Sequence, residues 1–378
     1  MAKSATAEGY ELGTQGPAMI ETTEISQVLK PCVEQWKSQF RHALERFDRA
    51  RPILTLAHHD ADGLAAGAIF AQAFTKIRRP TVTRILGRGE NPWSDSVRLE
   101  VQNQHPGGLV IADLGVRPGV VCPDTQTIVV DHHLPIGYPP GATVISGFGH
   151  EPTPTSGLLA LWCAQSFCEA DDLIWLAAIS IIGDMQEKAG FRELAEARAR
   201  FGIGALRDAT SLLNAARRSS SGAAQPAFDL LMKASGPKDV TSGKFAETEV
   251  LKKAREEVAA ALDAVKRIPP KIIGQIALIL MDSPCQIHPL IAQQWKNRLH
   301  KNVVMAANKG YRPGWVHFSV RTATGINLLE FLSQNAPSAA DENYGSGHVQ
   351  ATGGALTYAS WNEFITSLGF GPEMQVRP

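Results

Sequence analysis

The sequence predicts an α/β protein in which a parallel-sheet N-terminal domain is joined by a connecting helix to a smaller α/β C-terminal domain. Its 378 residues exceed the usual size of one domain. Short, continuous apolar segments alternate with helical patterns, which is typical of a parallel sheet covered on both faces. A charged, alanine-rich stretch over 244–270 has the pattern of a long helix that is closed by a proline pair.

The N-terminal domain is assigned to residues 31–235. The first twenty residues are polar, so we expect the segment 1–30 to be mobile, and a helix pattern follows over ISQVLKPCVEQWKSQFRHALERF. The strands expected next are PILTLA, TVTRIL, GGLVIAD, TIVVD and TVIS. Helices are expected over GLAAGAIFAQAF, SGLLALWCAQSFC and DDLIWLAAISIIGD. A parallel sheet of this kind places its ligands at the carboxyl ends of the strands.

A connecting helix over 236–270 leads to the C-terminal domain, which is assigned to residues 271–378. Its strands are expected from GQIALILMD, NVVMAAN and WVHFSV, and its helices from HPLIAQQWKNRL and GINLLEFLSQ. The alternation of the two patterns predicts a second α/β domain.

Composition argues against several classes of protein. The chain has 37 basic and 37 acidic side chains and a net charge of zero, which argues against binding long duplexes through wholesale phosphate neutralisation. Its five cysteines lie in apolar contexts without CxxC spacing and are expected to be reduced. The sequence lacks a membrane-length apolar segment and a signal peptide. We therefore expect a cytoplasmic protein with no membrane contact.

Acidic and imidazole side chains follow three of the expected strands and one apolar helix. They are His58, Asp60, Asp62, Asp113, Asp131, His132, His133 and Asp184. The carboxyl ends of parallel strands lie at one edge of a sheet, so these groups converge. Crowded carboxylates repel and raise one another's pKa unless a cation lies between them. Carboxylate and imidazole ligands suit Mn²⁺, with Mg²⁺, Fe²⁺ or Zn²⁺ as alternatives, and two such ions can activate water for phosphate-ester hydrolysis.

Single residues of this set also have purely structural interpretations. Asp60 is placed to cap the next helix in a solvated turn, Asp113 to cap a strand end, and His133 to pack on a proline as a loop histidine. Their coincidence at one sheet edge favours the metal interpretation.

Four motifs carry a family resemblance. HHDADG, the IAD that ends at Asp113, VVDHHLP and IIGD resemble, in order, the four motifs of the DHH phosphoesterase superfamily. NYGSGHVQATGG is similar to the GGGH signature of the associated C-terminal domain, and HFSVRTATGINLLEFL resembles its arginine-bearing strand and helix. The resemblance runs from Ile53 to Phe370, and the compact HHDADG form is closest to RecJ-like single-strand exonucleases. Ser346 stands where the family usually has a second glycine, which restricts the backbone there.

The resemblance implies a role for each site residue. One ion would be held by His58, Asp60 and Asp113, and the other by Asp62, Asp113, His132 and Asp184. Asp131 would orient or support the imidazoles, either from behind them or as a ligand itself. His133 would contact the scissile phosphate, and His59 would line the groove. Across an interdomain cleft, the C-terminal domain would hold a substrate phosphate. The residues expected to do so are Arg321, Gly345, Gly347, His348, Gly353 and Gly354.

The implied function is that of a phosphodiesterase with two Mn²⁺ ions, or Mg²⁺, in the cleft between the domains. It would hydrolyse single-stranded DNA or RNA, or short oligonucleotides, from an end. The same chemistry on a small nucleotide is one alternative: a cyclic dinucleotide, a nanoRNA or 3′-phosphoadenosine 5′-phosphate. A non-catalytic nucleotide-binding protein is another, although every expected ligand is present. Whichever of these functions applies, a homodimer is the assembly that we consider for this protein.

Two stretches place aromatic side chains beside arginines. Trp93 lies among three arginines in RILGRGENPWSDSVRLE, an expected loop, and NKGYRPGWVHF contains Tyr311, Arg312 and Trp315. Either stretch could stack a base along a nucleic-acid backbone. Ordinary packing is the favoured interpretation for Trp93, and both interpretations stay open for the second stretch.

Overall fold

Five short strands form a parallel sheet in the N-terminal part of the chain. The computed structural model describes residues 22–222, 224–340 and 344–377. The strands are β1 (Ile53–Ala57), β2 (Thr81–Ile85), β3 (Gly108–Ala112), β4 (Thr127–Asp131) and β5 (Thr143–Ser146). They lie in the order β2-β1-β3-β4-β5, and every neighbouring pair is parallel. The parallel sheet expected from the sequence is therefore confirmed.

Helices and loops cover both faces of this sheet. The helices before the C-terminal part are α1 (Thr22–Glu45), α2 (Ala61–Lys76), α3 (Asp95–Asn103), α4 (Ser156–Ala164), α5 (Ile174–Gly183), α6 (Arg192–Phe201), α7 (Ile203–Arg218), α8 (Gln225–Lys233), α9 (Pro237–Thr241) and α10 (Ala246–Val265). Alternate residues of each strand enter different cores. Ile53 packs in a core with α1, α2, α4 and α5, whereas Leu54 packs in a smaller core with α3.

The helix boundaries differ from the expected ones in four places. The helix α1 begins at Thr22, inside the segment 1–30, and residues 1–21 lie outside the described part of the chain. The stretch expected as one helix from Asp171 starts with a 3₁₀ turn over Asp171–Leu173. The connecting helix is divided into α9 and α10, because Gly243 adopts a left-handed φ of 78° between them. The expected loop around Trp93 runs into α3.

The C-terminal part contains a mixed sheet. Its strands are β6 (Lys271–Ile273), β7 (Ile276–Met281), β8 (Val303–Arg312), β9 (Trp315–Thr322), β10 (Ser346–His348) and β11 (Ala351–Thr357), and its helices are α11 (His288–Arg298), α12 (Leu328–Gln334) and α13 (Tyr358–Ser367), followed by a 3₁₀ turn over Pro372–Met374. The strands lie in the order β10-β11-β9-β8-β7-β6, and only β7 and β8 pair in parallel. The α/β class is confirmed for this part too.

The helix α10 packs in both parts of the molecule. Its Leu251 belongs to the large N-terminal core, whereas Val258 and Val265 belong to the core beneath β7 and β8. Because one rigid helix is buried in both cores, it couples their positions. Among the described residues, none of the helices is long and apolar enough to cross a membrane.

Candidate metal centre

The sheet register brings three predicted site residues to one level. Ala57 of β1 pairs with Ala112 of β3, and Ala112 pairs with Val130 of β4. The residues that follow them are His58, Asp113 and Asp131. The strand order reverses between β1 and β3, which is the place where open α/β sheets bind ligands.

The HHDADG loop combines a helix cap with the start of the site. Asp60 caps α2, since its Oδ1 accepts a hydrogen bond from the amide of Gly63 at 3.1 Å. A Cβ atom on Gly63 would lie 2.5 Å from Cβ and from the carbonyl oxygen of His58, so glycine lets the helix start against this residue. The capping interpretation is thus confirmed, although the side chains of His58 and Asp60 are only partly exposed, at 27% and 19%.

His59 was expected to line the groove, but its side chain is buried. Its side chain is 8% exposed, and its ring lies 4.4 Å from the ring of His58. Burial, followed by the charges of His58 and Arg217, lowers the pKa of His59 to about 2. It therefore packs inside the loop, in edge contact with the ring of His58.

Two groups of side chains share Asp113. In one group, Nδ1 of His58 lies 3.1 Å from Oδ1 of Asp60 and 3.5 Å from Oδ2 of Asp113. In the other, Nε2 of His132 lies 3.1 Å from Oδ2 of Asp184, 3.5 Å from Oδ2 of Asp62 and 3.6 Å from Oδ1 of Asp113. Asp113 therefore offers one carboxylate oxygen to each group, which is the arrangement that a bridging ligand needs.

Asp113 itself is held in an unusual conformation. Its φ of 63° is left-handed, which is uncommon for a residue other than glycine, and its side chain is almost fully buried. The hydroxyl of Ser156 donates to its Oδ1 at 2.9 Å. Burial, and then the charges of Asp62 and Asp60, raise the pKa of this carboxyl well above its ordinary value.

Asp62 is oriented by the first turn of α4. The amides of Ser156 and Gly157 donate to its two oxygens at 3.0 and 2.7 Å, and the hydroxyl of Ser180 donates at 2.6 Å. A helix N-terminus favours the carboxylate form. Burial and the neighbouring charge of Asp184 nevertheless raise the pKa of Asp62 to about 6. The charge of His132 offsets this crowding only in part.

Asp131 and His133 form a separate pair beside the bridging residue. Asp131 is fully buried and accepts hydrogen bonds from the amides of His133 and Gly115, both at 2.7 Å. Its Oδ1 also lies 3.1 Å from Nδ1 of His133. Burial opposes ionisation, but the hydrogen bonds and charges of His133 and His132 hold the pKa of Asp131 below its ordinary value. The imidazole of His133 is 43% exposed, so it faces the solvent side of the site.

The donor set fits divalent cations. Three groups of side chains have ligand atoms within 4.8 Å of one another: His58, Asp60 and Asp113; Asp62, His132 and Asp184; and Asp113, His132 and His133. Carboxylate oxygens and imidazole nitrogens are ligands for Mn²⁺ and related ions. Burial disfavours the charge on His132, yet Asp184, Asp62 and Asp113 raise its pKa to about 11. The cluster therefore demands positive charge, which cations supply more fully than one proton.

Sequence reasoning missed the side chains that support this centre. Ser156 and Ser180 orient the carboxylates, and Nη1 of Arg217 lies 3.4 Å from Oδ2 of Asp60. The Thr-Ser-Gly at the start of the helix pattern SGLLALWCAQSFC signals a helix N-terminus. Nothing in that signal says which carboxylate the helix meets.

The predicted residues of the C-terminal part lie on β9, β10 and β11, except for Gly345, which directly precedes β10. Nη1 of Arg321 donates to Oγ of Ser319 and to the carbonyls of Val320 and Thr352 at 2.9 to 3.1 Å. Burial lowers the pKa of this guanidinium. The side chains of His348 and Ser346 lie outside the described part of the structure.

The predicted glycines form a hairpin between β10 and β11. Gly347 pairs with Thr352, and Gly345 has a left-handed φ of 78°. A Cβ atom on Gly347 or Gly353 would lie 2.6 or 2.4 Å from a carbonyl oxygen of the adjacent strand. Close strand packing therefore requires glycine at these two positions. Gly354 pairs with Phe318 of β9.

The two aromatic stretches are largely packed. Trp93 contacts the smaller N-terminal core, and its Nε1 donates to the carbonyl of Gly119 at 3.3 Å. Tyr311 is buried beneath the guanidinium of Arg88, at 4.2 Å from the ring centroid. Arg312 lies 5.0 Å from the ring of Trp315. The packing interpretation is thus confirmed for Trp93 and Tyr311.

Comparisons with known proteins bear on the fold. No protein-family model matches the sequence, and no curated protein matches it. Among solved structures, the exonuclease RecJ bound to manganese matches at 17% identity and a TM-score of 0.64, over 90% of this chain and 95% of that one. RecJ from Thermus thermophilus in complex with Mn²⁺ matches at 16% identity and a TM-score of 0.65, over 89% of this chain and 55% of that one.

A further match is the DHH domain of a protein assigned to a family of ribosomal proteins. It has 17% identity and a TM-score of 0.62, over 91% of this chain and 92% of that one. The Thermus RecJ in complex with Mg²⁺ matches at 15% identity and a TM-score of 0.59, over 89% of this chain and 52% of that one. The chain thus has the fold of these RecJ and DHH-domain structures, which is the fold that its motifs predicted.

Proposed function

We propose that this protein is a metal-dependent phosphodiesterase that hydrolyses single-stranded nucleic acid or short oligonucleotides from an end. The observation that carries the proposal is the position of Asp113, whose two carboxylate oxygens face two different groups of ligands. Neighbouring ions that share a carboxylate are used in phosphate-ester hydrolysis. The RecJ structures with Mn²⁺ and Mg²⁺ support the choice of these ions and of this substrate class.

The side chains of the site have different proposed roles. His58 and Asp60 would hold one ion, and Asp62, His132 and Asp184 the other, with Asp113 between them. When bound, the ions supply an activated water and stabilise the leaving oxygen. Asp131 fixes the ring of His133 through Nδ1, which directs the other ring nitrogen towards a substrate phosphate. Ser156 and Ser180 hold the buried carboxylates in place.

The test is a digestion of end-labelled single strands of graded length, in DNA and RNA, beside a cyclic dinucleotide and 3′-phosphoadenosine 5′-phosphate. Treatment with a chelator should abolish hydrolysis, and Mn²⁺ should restore it better than Ca²⁺, whose larger radius fits a tight carboxylate and imidazole site poorly. A product ladder that grows from one end supports an exonuclease. Cleavage of the small nucleotides alone would move the proposal to that substrate class.

Asp113→Ala removes the shared ligand and should lower turnover by about 10³-fold or more. The matched control is Asp263→Ala on α10, where the carboxylate is exposed and pairs with Lys266, and it should keep full activity. Full hydrolysis by the wild-type protein in excess chelator would contradict a metal-dependent reaction. Binding of nucleotides without any hydrolysis would favour the non-catalytic alternative.

A further inference from the structure

The loop that follows β4 exposes three large apolar side chains to solvent. Leu134, Ile136 and Tyr138 are 53%, 66% and 65% exposed, and the residues that alternate with them are less exposed. This alternation is that of an extended chain, in which successive side chains face opposite sides. The three side chains therefore form a strip on one side of the loop, which we call the apolar strip.

The backbone beneath the apolar strip is held in place. The amide of Ile136 donates to the carbonyl of Val116 at 2.9 Å. A Cβ atom on Gly137 would lie 2.8 Å from Cδ of Pro118, so the two loops pack closely together. Pro139, which restricts the backbone at the end of the strip, is buried. Contiguous apolar side chains that a fixed loop exposes are typical of a binding surface.

The apolar strip begins at the metal centre. Leu134 directly follows His133, whose ring is fixed by Asp131 at the end of β4 and is 43% exposed. The proposed function places a substrate phosphate at this imidazole. A nucleic acid bound there therefore has its neighbouring nucleotides, on one side of that phosphate, beside the strip.

An aromatic ring and a cation lie beyond the far end of the strip. Pro139, the residue after Tyr138, lines an open cavity of about 640 Å³ together with Trp93 and Arg46. The guanidinium of Arg46 donates to the side chains of Gln126 and Thr143 at 2.9 and 3.4 Å, and it has no carboxylate partner among the described residues. Aromatic faces and cations are the groups that bind single-stranded nucleic acids.

The dimensions and charge of the protein favour a single strand as the occupant of the strip. Alternate residues of an extended chain lie about 6.6 Å apart, so the strip from Leu134 to Tyr138 spans about 13 Å. One base cannot cover this length, whereas several consecutive nucleotides can. The chain also has a net charge of zero, so phosphate neutralisation supplies little affinity and contacts with bases must supply more.

We propose that Leu134, Ile136 and Tyr138 bind the bases of a single-stranded chain that runs away from the metal centre. The inference rests on the proposed function, because the position of the substrate phosphate at His133 places the chain beside the strip. A mononucleotide or a cyclic dinucleotide does not extend along it. The substrate class is therefore a single-stranded oligonucleotide of several nucleotides.

The test compares a single-stranded octanucleotide with an abasic strand of the same length, which carries the same phosphates without bases. Binding is measured by calorimetric titration in excess chelator, because the strip requires no ion. The wild-type protein should bind the strand with bases at least about tenfold more tightly. The double variant Ile136→Ser/Tyr138→Ser should lose most of this preference. The control is Ile272→Ser on β6, where the side chain is 49% exposed in the C-terminal sheet.

The outcomes separate this inference from the proposed function. Equal affinity of the wild-type protein for the two strands overturns the role of the strip, as does an unchanged preference in the double variant. Base-selective binding without hydrolysis in Mn²⁺ keeps the role of the strip and contradicts the proposed function. Hydrolysis by a protein that binds both strands equally does the reverse.

A second copy of the chain is the competing occupant of the strip. If the wild-type protein is a dimer in size-exclusion chromatography, and the double variant is a monomer with unchanged strand affinity, the strip is a dimer interface and the inference is overturned. Both altered side chains are exposed, so the circular dichroism of the double variant should match that of the wild type. If it does not, the single variants Ile136→Ser and Tyr138→Ser decide the result.

Discussion

Asp113 shows how a single residue can reduce stability in order to provide a site. The residue is buried, has a left-handed backbone and lies among carboxylates that raise its pKa. Each of these features costs free energy in the protein without ions. Cations at this cluster would compensate these costs, which would link metal affinity to the stability of the fold.

This balance makes a prediction for Asp113→Asn in the metal-free protein. A carboxyl whose pKa is raised on folding lowers the free energy of unfolding as the pH rises from its unfolded value to its folded value. The amide removes the repulsion and can still accept the hydrogen bond from Ser156. At pH 8 the variant should melt about 1–2 °C higher than the wild type, the shift that ~1 kcal/mol produces in a chain of this size. The gain should shrink at pH 4.5, where the wild-type carboxyl is protonated.

Differential scanning calorimetry in excess chelator measures this effect. Asp263→Asn on the exposed face of α10 serves as the control, since its carboxylate is fully exposed and paired with Lys266. A lower melting temperature of Asp113→Asn at pH 8 would show that the carboxylate is structural in the metal-free protein.

At the same scale, the sequence predicted the candidate ligands but not the side chains that orient them. His58, Asp113 and Asp131 could be placed together because each follows an apolar strand, and parallel strands align their ends. Ser156, Ser180 and Arg217 lie on helices, where a short polar residue or a terminal arginine is common for other reasons. Their partners depend on helix packing, which the local pattern does not encode.

At the level of elements, the close start of α2 against β1 positions the first ligands. Gly63 permits this contact, because any side chain there would overlap the backbone of His58. Gly183 plays the same part for α5, since its Cα approaches Ala61 so closely that a Cβ atom would lie 2.9 Å from the methyl group. The strand positions could be predicted from apolar runs. The break between α9 and α10 could not be predicted, because it depends on the backbone conformation of Gly243.

Gly63→Ala tests whether this helix start positions the metal ligands. The added methyl group must displace His58, so the Mn²⁺ affinity measured by titration should fall about 10- to 100-fold. Stability should fall by ~1–3 kcal/mol, as overpacking does elsewhere. The control is Gly204→Ala in α7, where a Cβ atom meets nothing within 4 Å and the change should be neutral or stabilising. Wild-type Mn²⁺ affinity in Gly63→Ala would contradict the positioning role.

In the whole molecule, two cores and one shared helix set the distance between the metal centre and the C-terminal sheet. The helix α10 is buried in both cores. The guanidinium of Arg88, from the N-terminal part, packs on the ring of Tyr311 in the C-terminal part. The sequence predicted two domains and their order from length and pattern. Their contact depends on side chains such as Arg88 and Tyr311, whose pairing no periodic pattern indicates.

The last prediction concerns the cooperation of the two parts. Arg321 lies on β9, outside the ligand groups, so Arg321→Ala should leave the Mn²⁺ affinity unchanged in calorimetric titration. It should lower kcat/KM on oligonucleotides by at least about tenfold, or roughly 1.4 kcal/mol, because a substrate that is not anchored loses its alignment for attack. Arg298→Ala, at an exposed arginine that lies over the ring of Trp295, should behave as the wild type. Bis(4-nitrophenyl) phosphate has no second phosphate to hold, so its hydrolysis should change much less. An equal loss of kcat/KM on both substrates would mean that Arg321 supports the packing of the two parts. A residue that binds the second phosphate can affect only substrates that carry this phosphate.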